Sequence, residues 1–140
     1  MDYKLELMIV PVSDVDRAKA FYVDAAGFRL DVDHRAGDAF RVVQVTPPGS
    51  ACSVSFGVGI SNGEPGSVKG LHLVVTDIEE AHEELTGRGI DVGEIHHFTE
   101  QGRTPGLDPG RTDYNSFATF TDPDGNAWVL QEVRHPTPRG

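Results

Sequence analysis

His72 is the residue in this chain best suited, by type and setting, to acid–base chemistry. It stands in the apolar run Leu71-His72-Leu73-Val74, where a titratable side chain needs a partner. A histidine in this setting can act as a general base or bind a ligand. It can equally be a structural histidine that is held by a hydrogen bond, and the sequence leaves both roles open.

Other polar side chains have the chemistry to bind a small molecule. Ser55 and Gln131 fall near strand ends, where they are either hydrogen-bonding groups for a ligand or ordinary surface residues. Neighbouring side chains on a strand point to opposite faces, so at most one histidine of the pair His96-His97 can enter a cavity. An arginine can bind an anionic ligand, and a tyrosine can bind an aromatic one. The further ligand-binding candidates, which lie between residues 96 and 115, are His97, Arg103 and Tyr114.

A metal site is an alternative use of the same histidines. His72, one of the two adjacent histidines, and Asp113 or Glu100 could supply nitrogen and oxygen ligands. Their spacing is unlike any compact metal motif, and the chain has neither a glycine-rich phosphate loop nor a nucleotide fingerprint. We therefore predict no metal and no other cofactor.

The elements that must position these residues come in two copies. Val10 to Ala18 lines up with Leu73 to Ala81, 63 residues later, and each copy is typical of a strand followed by a helix-capping aspartate. The Pro-x-Gly turns near the far ends of the copies differ by 76 residues, so the second copy has about 13 extra residues, within His96 to Tyr114. A loop of that length in a compact domain is typically functional or disordered.

These patterns predict one α+β domain built from two β-α-β-β-β modules. The apolar patterns place strands at residues 5–12, 71–75 and 90–95, among others, and helices that begin at Asp14 and Asp77. The predicted boundaries are 1–57 for the first module, 58–70 for a linker, 71–134 for the second module with an inserted loop near 96–115, and 135–140 for a tail.

Composition limits the partners and the compartment. The 140 residues carry a formal net charge of −10, which repels phosphate backbones and disfavours nucleic-acid binding. No apolar run approaches the roughly 20 residues that span a bilayer, and the charged start of the chain is not typical of a signal peptide. The lone Cys52 excludes an internal disulfide and fits a reducing compartment. We therefore expect a cytoplasmic protein that binds neither nucleic acid nor membrane.

Three local patterns resemble one known family. They are Val12-Ser13-Asp14 with Phe21-Tyr22, the second copy Val75-Thr76-Asp77, and Phe120-Thr121-Asp122-Pro123-Asp124-Gly125-Asn126. Together they resemble the vicinal-oxygen-chelate superfamily of glyoxalases, bleomycin-resistance proteins and extradiol dioxygenases, over residues 5 to 133. The resemblance implies that the modules form an open, barrel-like sheet around a cavity. It also implies a homodimer, in which open sheet edges would be covered.

Metal-using members of this family place ligands on the first and last strands of each module. The corresponding positions here fall on Leu7, Gly70, Ser53 and Val129, which are poor metal ligands or have no donor atom. His72 lies two residues beyond Gly70, so the resemblance places it on the cavity face. It places Ser55 and Gln131 on the same face of their own strands.

The leading hypothesis is a small-molecule-binding protein of this family, acting as a metal-independent isomerase or lyase with His72 as the acid or base. The alternative is a non-catalytic protein that binds and sequesters a drug, as in the bleomycin-resistance branch. An acidic chain suits a cationic drug. A metal-dependent glyoxalase or dioxygenase is the least favoured reading, because both chemistries need an ion to hold vicinal oxygens.

Overall fold

The α+β class is confirmed in a computed structural model that describes residues 1–136. The chain divides into two compact units. One comprises residues 1–68 together with 122–126, and the other comprises residues 69–121 together with the segment that starts at 127. Every helix in the described part of the chain is too short or too polar to cross a bilayer.

The first unit contains a four-stranded sheet and one helix. The sheet order is β1-β4-β3-β2, with β1 parallel to β4 and the other neighbours antiparallel. The elements are β1 (Leu7–Ile9), α1 (Val15–Lys19), a π-helical continuation of α1 (Ala20–Ala25), β2 (Arg29–Arg35), β3 (Arg41–Thr46) and β4 (Ser53–Val58).

The helix of the first unit begins where the sequence predicts it. The Asp14 carboxylate accepts a hydrogen bond from the Arg17 backbone N–H at 3.1 Å, which caps the first turn. The fully buried Tyr22 lies on the inner face of this helix and packs against Phe28 and Phe56, with ring centroids 5.7 and 5.5 Å away. The apolar stripe of the helix therefore covers one face of the sheet.

The first strand is shorter than the predicted 5–12. It ends at Ile9, although the Val10 N–H still donates to the Ser55 carbonyl at 2.9 Å. Pro11 follows and has no N–H to continue the ladder, so the proline ends the pairing.

The turn Asp122–Asn126 is part of the first unit, and the buried Asp122 carboxylate joins it to the rest of that unit. Asp122 accepts hydrogen bonds from the Tyr22 hydroxyl at 2.7 Å and from the Asn126 side-chain amide at 2.8 Å. It also accepts the backbone N–H groups of Asp124 and Asn126. The same Asn126 amide donates to the Pro11 carbonyl at 2.8 Å. The turn is thus joined both to α1 and to the segment after β1.

The second unit repeats the order and adds a strand. Its sheet order is β5-β9-β8-β6-β7, with β5 parallel to β9. The Asp77 carboxylate accepts from the Glu79 and Glu80 backbone N–H groups and starts the helix as predicted. The elements are β5 (Leu71–Val75), α2 (Ile78–Gly87), β6 (His96–Thr99), β7 (Gly102–Pro105), β8 (Phe117–Thr121) and β9 (Ala127–Glu132).

One face of the five-stranded sheet packs against α2. The Phe120 and Trp128 rings stack on this face with centroids 6.2 Å apart. No helix among residues 69–136 of the second unit packs on the opposite face, which carries the candidate site. The buried apolar side chains of the packed face are Ala118, Phe120, Trp128 and Leu130, with Ile78 and Leu85 from α2.

The extra residues of the second module form an ordered hairpin. A strand was predicted at 90–95, but this segment has no regular structure and is joined to β8 by the Gly93 N–H, which donates to the Thr119 carbonyl at 2.8 Å. The strand starts at His96 instead, and β6 and β7 are joined by a turn in which Gly102 has a φ of 94°. The insert therefore contributes β7 as a new edge strand.

The predicted tail lies partly outside the described residues, from position 137 onward.

Candidate ligand-binding site

The open face of the five-stranded sheet can be traced from strand pairing. His72 lies opposite Val129, and Val74 lies opposite Gln131. Directly paired residues project to the same face of a sheet. Gln131 is also paired with Phe117, which brings β8 onto this face. Pairing continues into the insert through His96 opposite Phe117 and through Phe98 opposite Arg103.

Three aromatic side chains form one cluster on this open face. We name His96, Phe98 and Phe117 the aromatic platform. The His96 ring stacks on Phe117 with centroids 5.7 Å apart, and Phe98 meets both rings edge to face at 5.5 to 5.7 Å. Phe98 is 49% exposed. Aromatic rings prefer these offset and edge-to-face arrangements, so the platform is a pre-formed apolar surface.

The imidazole of the platform is neutral at neutral pH. Burial lowers the pKa of His96, and the positive charges of Arg103 and of a protonated His97 lower the same pKa further, against a hydrogen bond with the Glu94 carbonyl that raises it. The ring is only 6% exposed. A neutral imidazole stacks as an aromatic ring without the desolvation cost of a charge.

Asn115 holds the strand that carries Phe98. Its side-chain oxygen accepts the Phe98 backbone N–H, and its side-chain amide donates to the Phe98 carbonyl, both at 3.1 Å. These two bonds resemble the backbone hydrogen bonds between paired strands. They lie next to the pairing of His96 with Phe117, which joins β6 to β8. The amide therefore fixes the backbone of the most exposed ring in the platform.

His72 lies on the same open face of the sheet. Its Nδ1 is 2.7 Å from the Gly70 carbonyl. Since a carbonyl only accepts, Nδ1 carries the proton and Nε2 is left as an acceptor. Gln131 shares this face, and its side-chain amide donates to the Tyr114 carbonyl at 3.1 Å, which leaves its side-chain oxygen as an acceptor.

His97 lies on the other face of β6. It is 5% exposed, and its Nδ1 donates to the Gly106 carbonyl at 2.7 Å. The alternation of the strand therefore brings His96, and not His97, to the open face. His97 was the residue predicted from the sequence, and neither Phe98 nor Phe117 was predicted. The alternation of His96 and Phe98 along one strand was the signal that could have found them.

The other candidates in the insert have different surroundings. Arg103 projects to the open face beside Phe98. Tyr114 has a φ of 73°, and its backbone N–H donates to the Glu132 carbonyl at 2.9 Å, so its backbone anchors the insert to β9. Its side chain is 45% exposed. We find no contact of this ring with the platform among residues 1–136.

Arg111 ties the insert to the rest of the second unit. Its guanidinium donates twice to the Glu132 carboxylate, from Nε at 2.8 Å and from Nη2 at 2.5 Å. Glu132 is fully buried and also accepts the Ile78 backbone N–H at the start of α2. The hydrogen bonds from Arg111 lower the pKa of Glu132, against burial, which raises it. This buried ion pair connects the insert, β9 and α2.

Ser55 belongs to the first unit. It lies on β4 opposite Gln44 and Ile9. Its hydroxyl oxygen is buried and has no hydrogen-bond partner among the described residues. The neighbouring Ser53 hydroxyl is already paired with Thr46 at 2.6 Å. Ser55 is therefore the hydroxyl of this strand that is left for a ligand or a water.

The residues at the family's metal positions do not fit a metal. Leu7, Gly70 and Val129 have no donor atom in their side chains, and Ser53 offers only a paired hydroxyl. Within residues 1–136, no three or more His, Cys, Asp or Glu side chains are grouped so that they could hold a metal ion. A reaction routed through a metal therefore has no support in this donor set.

Comparison with solved structures finds similar folds over almost the whole chain. TnmS3, an antibiotic binding protein from Streptomyces sp. CB03234, is 32% identical, with 94% of this chain and 97% of that chain covered and a TM-score of 0.73. A glyoxalase/bleomycin resistance protein from the same Streptomyces strain is 33% identical, with 92% and 100% covered and a TM-score of 0.70.

Sequence comparison points to the same group. The uncharacterized protein YetH of Bacillus subtilis (strain 168) is 25% identical over 125 residues, covering 88% of this chain and 92% of YetH. The profile of the glyoxalase/bleomycin resistance protein/dioxygenase superfamily matches residues 4–130. The repeated strand–helix–strand order, the Asp-Pro-Asp-Gly-Asn turn and this match agree, and the chain belongs to the glyoxalase/bleomycin resistance protein/dioxygenase superfamily.

Proposed function

We propose that this protein binds a small molecule with a planar aromatic part and does not transform it. The observation that carries the proposal is the aromatic platform, in which a half-exposed Phe98 lies edge to face against two rings on an open sheet face. A single exposed apolar residue is common on protein surfaces, but this one belongs to a pre-formed cluster of three rings. A flat ring that stacks on it would be held by dispersion and by the hydrophobic effect.

The exposed part of Phe98 sets the scale of this interaction. A phenylalanine buries on the order of 200 Å² when it is fully covered. Since 49% of Phe98 is exposed, a ring that covered it would remove roughly 100 Å² from water. At about 25 cal/mol per Å² this contributes about 2.5 kcal/mol, before the cost of association. Phe98 alone would therefore decide between measurable and negligible affinity for a small ligand.

The similarity to TnmS3, which is an antibiotic binding protein, supports this function and an antibiotic as the ligand class. The donor set supports binding without a metal cofactor. We also propose a homodimer, because β1 and β5 are edge strands of their sheets. A cytoplasmic location remains our expectation, on the ground of the partly exposed free Cys52.

An isomerase or lyase is the second candidate function. It is favoured by His72, whose ring is oriented by the Gly70 carbonyl so that Nε2 is an acceptor on the open face. In this alternative, Nε2 would remove a proton from the bound molecule.

The test is equilibrium dialysis of the protein against planar polycyclic antibiotics of differing charge, followed by mass spectrometry of the recovered compound. We expect at least one to bind and to be recovered unchanged. Phe98→Ala should weaken its binding about tenfold or more, whereas Tyr3→Ala, an exposed aromatic residue ahead of β1, should not. Equal binding by wild type and Phe98→Ala would contradict the proposal. A product that forms with wild type but not with His72→Ala would favour the second candidate.

A second copy of the chain is a competing occupant of the platform. Sedimentation velocity of the wild type and of Phe98→Ala separates the two cases. If the substitution changes the dimer fraction and leaves antibiotic binding intact, then the platform is an interface between copies.

A further inference from the structure

A positively charged side chain without a carboxylate partner lies directly beside the aromatic platform. Arg103 is exposed and is the cross-strand neighbour of Phe98. No carboxylate of residues 1–136 lies within ion-pair distance of its guanidinium. Five other arginines of this acidic chain each have a carboxylate partner, whereas Arg35 and Arg134, like Arg103, have none among the described residues; the five are Arg17, Arg29, Arg41, Arg88 and Arg111.

The guanidinium also borders a hollow next to the platform. The hollow has a volume of about 180 Å³ and is lined by Glu94, His96, Arg103 and Pro105. Pockets for a whole drug-sized ligand are larger, about 300 Å³ or more. This hollow therefore has room for one end of a ligand, such as a single ring with its substituent, while the rest lies over the platform.

Arg103 brings a positive charge next to the platform although the chain is acidic overall. The charge of Arg103 disfavours protonation of His96, whereas Glu94 interacts with this ring through its backbone carbonyl. A guanidinium binds a carboxylate or a sulfonate with two parallel hydrogen bonds. Glu94 is the only lining residue of the hollow that would favour a cation.

From these contacts we infer that the ligand is a planar aromatic acid, whose anionic group pairs with Arg103 while its ring stacks on Phe98. This inference rests on the proposed function, because it assigns a chemical class to the ligand of the same platform. It differs from the expectation that an acidic chain selects a cationic drug, since the nearest charge decides binding more than the net charge does.

Three probes with the same ring test this inference. They are 2-naphthoate, the neutral 2-naphthalenemethanol and the cationic 2-naphthylmethylammonium, each titrated by calorimetry into the full chain. We expect 2-naphthoate to bind about tenfold more tightly than the neutral probe. Arg103→Gln should abolish that difference and leave the neutral probe unchanged. About 1 M salt should weaken only the anionic probe.

Matched variants make the outcomes distinct. Arg88→Gln removes an arginine from the surface of the second unit near the end of α2 and should change none of the three affinities. Phe98→Ala should weaken all three probes. If the three probes bind equally and Arg103→Gln has no effect, the inference about the anion is refuted while the proposed function stands. Preference for the cationic probe that is lost in Glu94→Gln would also overturn it. If no probe binds, or Phe98→Ala changes nothing, the platform itself is not the site.

Discussion

Replacing Arg111 with alanine tests whether the insert is held by a buried ion pair. The substitution leaves Glu132, which is fully buried, without its two charge-assisted hydrogen bonds. Removing one partner of a buried ion pair costs about 3–5 kcal/mol. The Arg111 side chain is 25% exposed, so water can reach part of the vacated space. We therefore expect a loss of about 2–3 kcal/mol in the free energy of unfolding.

The cost should depend on pH in a definite direction. In the wild type the pKa of Glu132 is lowered, so its contribution to stability is present above the ordinary carboxyl pKa and is lost as pH falls through the lowered value. Without Arg111, burial becomes the main influence and raises the pKa of Glu132. As the pH falls, the variant therefore protonates this carboxyl before the wild type does. The difference in stability should therefore be smaller at pH 4.5 than at pH 7.

Urea unfolding followed by Trp128 fluorescence measures this cost in the right part of the molecule. Trp128 is the only tryptophan of the chain and is buried in the second unit. Arg88→Ala is the matched control, because Arg88 pairs with Glu84 at an exposed i,i+4 position that contributes about 0.5 kcal/mol or less. A loss below about 1 kcal/mol for Arg111→Ala, or an equal loss at both pH values, would refute the reasoning.

Substitutions at three further residues test the open sheet face and the joined turn. Asn115→Ala should weaken binding of an aromatic probe several-fold, and Asn115→Asp should weaken it too, because a carboxylate cannot donate to the Phe98 carbonyl. Tyr22→Phe should lower stability by about 1.5–3 kcal/mol, measured by thermal unfolding, because Asp122 loses a buried hydroxyl donor. His72→Ala should leave the affinity for an aromatic probe within about threefold of wild type. A large loss of affinity would show that His72 contacts the ligand.

The parts of the fold that could be predicted from the sequence are those that depend on residues close together in the chain. Asp14 and Asp77 cap their helices with bonds to residues two or three positions away, so a short stretch of sequence contains the whole signal. The strand β5 was predicted as Leu71 to Val75, and its observed bounds are the same. Because these signals occur twice, each copy supports the interpretation of the other.

The candidate site was harder to predict because it lies in and beside the inserted segment, where the two copies differ. The first module has no counterpart to β7, and the chain on either side of it differs in length between the copies, so alignment of the copies could not show which histidine faces the open side. That choice depends on register, and a slip of one residue exchanges His96 for His97. The register is set by pairing with Phe117 on β8, about 20 residues away. The burial of Glu132 has a similar origin, since its partner Arg111 lies in the insert.

The asymmetry between the modules fits the proposed binding of a ligand without a metal. The side chains of Leu7, Gly70 and Val129 have no donor atom and the Ser53 hydroxyl is already paired, so these four positions do not favour metal-assisted chemistry. The features that suit ligand binding come largely from the insert, which contributes two of the three platform rings and the unpaired charge of Arg103. Such a site can change its ligand by substitution in one hairpin. The capped helix and the sheet framework of each unit would not have to change.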